Sequence, residues 1–277
     1  WEIDNEKYKF ANGFELTEQQ TKILDIIKEF NVCVLAGNAG SGKTMSCIAL
    51  TDMLKDNNMS FLLFAPTGKA SKVLNGYVGY ETSTIHRGLG FNPECGFIHN
   101  QKNPLLCDVV IVDEASMIDI HLMKSLLRAI NPDTTKLVFV CDPAQIPSVG
   151  CGNCIQDIIN SGKVPVAYLD KVFRYKDGGL AKVATETRKG NKFLEENCES
   201  NQQVFGNNKD FIFIEKSKES TQQEIVRVFD KLIHSGIDKD DIVILSAYNK
   251  GEFGTYVINS LIQDQVNPYN GKQISYT

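Results

Sequence analysis

The 277 residues have no excess of basic charge: 29 Lys and Arg stand against 34 Asp and Glu, a net charge of −5. That balance excludes a protein that coats nucleic acid through diffuse positive charge. It leaves room for a local groove, because affinity follows the few charges that face phosphates. No apolar run approaches the roughly 20 residues that span a bilayer, and the opening "WEIDNEKYKF" lacks the features of a signal peptide. A complete metal-ligand set is also missing. Cys151 and Cys154 in "CGNC" have metal or redox spacing, but no second CxxC follows and neither His99 nor His121 shows ligand spacing to the pair, which weighs against a zinc or redox function. Most of the other cysteines, such as Cys33, Cys47, Cys107 and Cys141, sit inside apolar runs, where a thiol behaves as a small hydrophobe. The expected compartment is the cytoplasm. Because the chain begins on Trp1, it is read as a piece of a longer protein.

What is present is alternation. "LTEQQTKILDIIKEF" places Leu16, Ile23, Leu24, Ile27 and Phe30 on one helical face, with Thr17 as N-cap. Apolar strands are expected at 32–36, 61–65, 108–112 and 136–141, separated by helices near 43–55, 68–75 and 119–130. Continuous apolar strands between helices indicate an α/β fold, with a parallel sheet covered on both faces. A helix near 178–189 precedes the polar stretch "NCESNQQVFGNNKD", read as a linker. A second α/β unit then starts, with strands at 211–215 and 241–246 and helices at 219–235 and 252–264. The expected division is an upstream segment 1–15, a first domain 16–205 and the beginning of a second at 206–277.

Residues 37–44, "GNAGSGKT", match G-x-x-x-x-G-K-[ST] in full, after a strand and before a helix. In such a P-loop, Gly37, Asn38, Ala39, Gly40, Ser41 and Gly42 turn backbone N–H groups toward phosphates. Lys43 supplies a point charge, and Thr44 a hydroxyl for Mg²⁺. "VVIVDEASMID" adds the acidic partner at the carboxyl end of a strand, where sites of open α/β sheets lie. Asp113 is the expected metal ligand and Glu114 the expected base for an attacking water.

With these residues in order, the chain resembles a superfamily 1 DNA helicase of the RecD/TraA type, a group that includes the phage Dda enzyme. The resemblance runs from Leu16 to about residue 265. It implies two RecA-like domains, ATP and Mg²⁺ as cofactors, and 5′ to 3′ movement on single-stranded DNA. "LTEQQ" resembles the adenine-reading Q motif and singles out Gln20. "FAPTGKASKVL" and "STIHRGLG" resemble the strand-contacting motifs Ia and Ib, placing Thr67, Lys69, Thr84 and His86 along DNA. "CDPAQIPSVGCGN" resembles motif III, with Cys141 in place of a glycine and Ile146 of a leucine. There Gln145 would sense the γ-phosphate and Asp142 would hold the loop. "LDKVFRY" resembles motif IV and directs Arg174 at the γ-phosphate. The family's later motifs would fall beyond Thr277, so the resemblance implies an incomplete catalytic set and weak or absent turnover by this chain. Two other readings stand beside the motor: an RNA-directed P-loop ATPase of the phosphate-starvation type, and a non-catalytic, nucleotide-dependent DNA-binding subunit. The pathway, whether repair, conjugation or phage replication, is open.

Overall fold

A computed structural model describes Trp1 and residues 3–173, 178–195 and 201–266. The chain divides into two compact units, Trp1–Asp177 and Gly178–Thr277.

The first unit opens with the two-residue ladder β1 (Phe10–Ala11) and β2 (Phe14–Glu15), then α1 (Glu18–Glu29), β3 (Val32–Gly37), α2 (Lys43–Asp56), β4 (Phe61–Ala65) and α3 (Gly68–Val78). It continues with β5 (Thr82–Thr84), α4 (Ile85–Gly88), and the small ladder β6 (Phe91–Asn92) and β7 (Gly96–Phe97). Then come β8 (Val109–Val112), α5 (Ile120–Ala129), β9 (Lys136–Cys141), α6 (Cys154–Asn160) and β10 (Val166–Leu169). Six strands form one sheet in the order β10-β3-β9-β8-β4-β5, and every pairing in it is parallel. Strand side chains alternate between two cores. Leu35, Ile111 and Val138 pack with α1 and α2 on one face; Ala36, Val112 and Phe139 pack with α5 and α6 on the other. This is the two-sided burial that continuous apolar strands require.

Helix α1 is fixed at both ends. Thr17 Oγ1 accepts from Gln20 N–H, and Gln20 Oε1 accepts from Thr17 N–H at 2.9 Å, a reciprocal capping box. At the other end Lys136 Nζ, from β9, donates to the carbonyls of Ile27 at 2.8 Å and Phe30 at 3.1 Å. The Trp1 ring lies 4.6 Å from the same ammonium. A cation at a helix C-terminus satisfies orphan carbonyls and opposes the negative end of the dipole.

The second unit holds α7 (Gly179–Arg188), the antiparallel pair β11 (Gln202–Phe205) and β12 (Phe211–Ile214), α8 (Lys218–His234) and α9 (Thr255–Val266). Two expectations change here. The polar stretch read as a linker contains β11, held by contacts among the rings of Phe193, Phe205 and Phe211 at centroid distances of 5.7 to 6.2 Å. The strand expected at 241–246 does not form. A 3₁₀ turn at Lys239–Asp241 leads into residues 242–246, which lie in no ladder among the described residues, and Val243 and Leu245 face outward. An alternating apolar pattern makes a strand only where it is hydrogen-bonded to a neighbour. Among the described residues this segment pairs neither with the edge of β12 opposite β11 nor with any other strand. The break between units falls ahead of α7 because Asp210 caps that helix. Its carboxylate accepts from Gly179 N–H at 2.7 Å and Leu180 N–H at 3.3 Å, tying α7 to the hairpin.

Candidate functional site

The loops that leave the carboxyl ends of β3, β9, β8, β4 and β5 emerge along one edge of the sheet, in that spatial order. The P-loop joins β3 to α2. Gly42, immediately before α2, has φ +90°, a left-handed conformation that an L side chain resists. Gly37 lets β10 come close: a Cβ there would stand 2.8 Å from Leu169 Cβ. Lys43 Nζ donates to the carbonyls of Gly37 at 2.7 Å and Asn38 at 3.2 Å, which holds the ammonium over the loop. Phe173 N–H donates to Gly40 O at 2.9 Å, so the segment after β10 also docks on the loop. Arg174 lies outside the described residues.

Gln20 is buried beneath this loop. Its Oε1 is engaged in the capping box, and its Nε2 donates to Ser41 O at 3.3 Å. Both ends of the amide are therefore spent within the chain, one on the helix start and one on the P-loop. Thr44 is part-buried in the first turn of α2.

Asp113 and Glu114 follow β8, and β9 lies between β8 and the P-loop strand β3. Burial pushes the Asp113 carboxyl up to about 6, with Glu114 N–H and Lys43 pulling the other way and the Glu114 charge adding to the rise. Asp113 Oδ1 accepts from Glu114 N–H at 2.9 Å. Glu114 itself sits at φ +51°, ψ +37°, a left-handed conformation at a non-glycine residue. Strain of that kind recurs where a side chain must be aimed. After β9, Asp142 is fully buried; its Oδ1 accepts from Ala144 N–H at 3.0 Å and its carbonyl from Ser116 Oγ at 2.9 Å and Gln145 N–H at 3.1 Å. Those bonds fix the turn that presents Gln145, whose side chain is exposed. Ser116 lies in the same stretch as Asp113 and Glu114, but its residue type alone did not single it out in the sequence.

On the far side of the edge, β4 and β5 pair with Ala65 opposite Thr84, which brings the two helix starts after them together. Thr67 Oγ1 caps α3 by accepting from Ala70 N–H, and Thr84 Oγ1 caps α4 by accepting from Arg87 N–H, both at 3.2 Å. Lys69 and His86 are exposed in the first turns of these helices. His86 also forms an aromatic cluster with Phe91 and Phe97, ring centroids 5.4 and 5.7 Å away. The two phenylalanines lie in two-residue strands, too short to give a periodic signal.

Among the described residues, three buried oxygens at the nucleotide end have no hydrogen-bond partner: Ser41 Oγ, Ser46 Oγ and Glu114 Oε2. Buried polar atoms are rarely left so. Together with the loop glycines, Lys43 and the two carboxylates, they fit a phosphate chain and a hard divalent cation.

The parallel sheet with this loop and acidic pair defines a RecA-like P-loop nucleotide-binding unit. The model of the AAA domain family matches residues 15–204, and the chain belongs to that family, among the RecD-like superfamily 1 helicases. It is 36% identical over 159 residues to the ATP-dependent RecD2 DNA helicase of Deinococcus radiodurans, covering 57% of this chain and 22% of that one. To the ATP-dependent DNA helicase dda of Enterobacteria phage T4 it is 34% identical over 176 residues, covering 59% and 37%. The Pif1 helicase from Candida albicans is 19% identical, with a TM-score of 0.49 over 78% of this chain and 55% of that one. The chain thus spans well under half the length of these curated relatives.

Proposed function

We propose that the chain is the nucleotide-binding part of an ATP-driven motor that moves 5′ to 3′ on single-stranded DNA, within a longer protein. The observation that carries this reading is one sheet edge that holds Lys43, the Asp113–Glu114 pair and the Thr67 and Thr84 loops together. Thr44 and Asp113 would hold Mg²⁺, and the bound Mg²⁺–ATP would supply the phosphoryl group for transfer to water. Lys43 orients the outer phosphates, and Glu114 takes a proton from the attacking water. Gln145 and Arg174 would report and neutralise charge at the γ-phosphate. Lys69, His86 and the hydroxyls of Thr67 and Thr84 would follow the sugar–phosphate backbone, where small polar groups and a ring cluster suit sequence-independent binding.

The test uses the full-length protein. Lys43→Ala should abolish phosphate release and weaken ATP binding, while Glu114→Gln should keep binding and lose turnover. Stimulation should be strongest with single-stranded DNA, weaker with duplex, and should fall on raising salt. Equal or greater stimulation by RNA would favour the RNA-directed ATPase; nucleotide binding with no stimulated release would favour the non-catalytic subunit.

A further inference from the structure

Cys151 and Cys154 take no part in the site above, yet the fold gives them a chemistry of their own. The turn that carries them follows the Gln145 loop and is pinned to the start of α5. Cys151 O accepts from Ile120 N–H at 2.9 Å, and Ser148 Oγ donates to the carbonyls of Gly150 at 2.8 Å and Gly152 at 3.0 Å. That docking brings in a residue thirty positions upstream: His121 Nε2 lies 3.7 Å from Cys151 Sγ, hydrogen-bond distance for sulfur. Cys151 is exposed, whereas Cys154 is buried at the first residue of α6. Gly152 between them has φ +99°, and a Cβ on it would meet Cys154 Sγ at 3.5 Å, so the buried sulfur faces the turn that bears Cys151. Burial raises the Cys154 thiol above its ordinary range, and the neighbouring Asp157, Asp119 and Cys151 add to the rise. Among the described residues no group of three or more His, Cys, Asp or Glu is arranged to hold a metal ion, which separates this pair from a zinc site.

We infer that Cys151 and Cys154 form a thiol–disulfide exchange site, with Cys151 as the attacking thiol, His121 as its proton acceptor and Cys154 as the resolving thiol, acting on small disulfides such as oxidised glutathione. Cys151 gives its proton to His121 Nε2, and its sulfur attacks one sulfur of the glutathione disulfide. That S–S bond breaks, and one glutathione leaves as thiolate and is protonated. Cys154 then loses its proton to solvent and attacks the Cys151 sulfur of the mixed disulfide, expelling the second glutathione. Two protein thiols are oxidised to one disulfide, and one glutathione disulfide is reduced to two thiols. An exposed thiol beside an imidazole is the more reactive partner, and a buried thiol three residues on, facing the same turn, is placed to complete the exchange. The product closes a short ring across Gly152 and Asn153, directly after the loop that presents Gln145.

The experiment treats the chain with oxidised glutathione and follows it by intact mass and peptide mapping, with the exposed Cys95 as internal comparison. The expected product is a Cys151–Cys154 disulfide with no retained glutathione, reversed by dithiothreitol. Cys154→Ser should instead stop at a stable glutathione adduct on Cys151. His121→Ala, a surface change, should slow alkylation of Cys151 by iodoacetamide several-fold while leaving Cys95 unchanged. A stable adduct on Cys151 in the unsubstituted chain, or reaction of Cys151 no faster than Cys95, would overturn the assignment. Both readouts are independent of nucleotide hydrolysis.

Discussion

Asp113 closes a strand that is buried on both faces, and burial pushes its carboxyl up to about 6 from an unfolded value of 3.8. A carboxyl whose folded pKa is raised binds more protons in the folded state. Its contribution to stability is therefore fully present below about 4, declines as pH rises toward 6, and stays lost above. The shift corresponds to roughly 3 kcal/mol at neutral pH. Asp113→Asn should raise the unfolding temperature by several degrees at pH 7 and leave it nearly unchanged at pH 4, while removing the gain in nucleotide affinity that Mg²⁺ confers. Equal stabilisation at both pH values would show that the burial cost lies elsewhere. Gln20 makes a second case. Its amide braces the P-loop through Ser41 O, so Gln20→Ala should weaken ATP and GTP by similar factors in competition with a fluorescent nucleotide. A loss confined to ATP would mean that the amide reads adenine instead. Of these details, the sequence could name the residues but not their state. Glycine spacing marks the P-loop, whereas the left-handed Glu114, the bracing role of Gln20 and the His121–Cys151 contact arise only when distant segments meet.

At the scale of elements, legibility follows apolar periodicity. β3, β4, β8 and β9 are runs of Val, Leu, Ile and Phe that need cover on two faces, and they appear where the pattern puts them. β5 is three hydroxyl residues, Thr82–Thr84, and becomes a strand because β4 offers a free edge beside it. The segment 241–246 carries the opposite lesson: its alternating pattern lies in no ladder among the described residues, although β12 is paired on one edge only. In the second unit the start of α7 is capped by one carboxylate, Asp210, which the Gly179 and Leu180 N–H groups hold below the ordinary carboxylate range. A depressed folded pKa gives stability that is present above the ordinary carboxylate range and lost as pH falls through it. Asp210→Ala should speed amide exchange across α7 by about fivefold or more, as expected for loss of a helix cap, and leave exchange in β3 and β9 unchanged. Uniform acceleration through both units would argue against a local cap.

The whole chain joins a unit built for nucleotide binding to a second, smaller unit, and its relatives extend well beyond the length it matches. In phosphoryl transfer a further arginine is worth about 10³ to 10⁵ in rate but contributes little to ground-state binding. If the motor reading holds, residues 1–277 should bind ADP and ATP measurably and release phosphate very slowly, with no unwinding. Fluorescent-nucleotide titration beside a steady-state phosphate assay tests both halves, and brisk DNA-stimulated turnover would show the catalytic set to be complete. The left-handed backbone at Glu114 reaches further, into how this protein would respond to selection. A conformation that costs an L residue roughly 1 kcal/mol is relieved by glycine or asparagine. A library screened for heat resistance alone should therefore enrich Glu114→Gly and Glu114→Asn, and the most heat-resistant clones would be the ones that have stopped working.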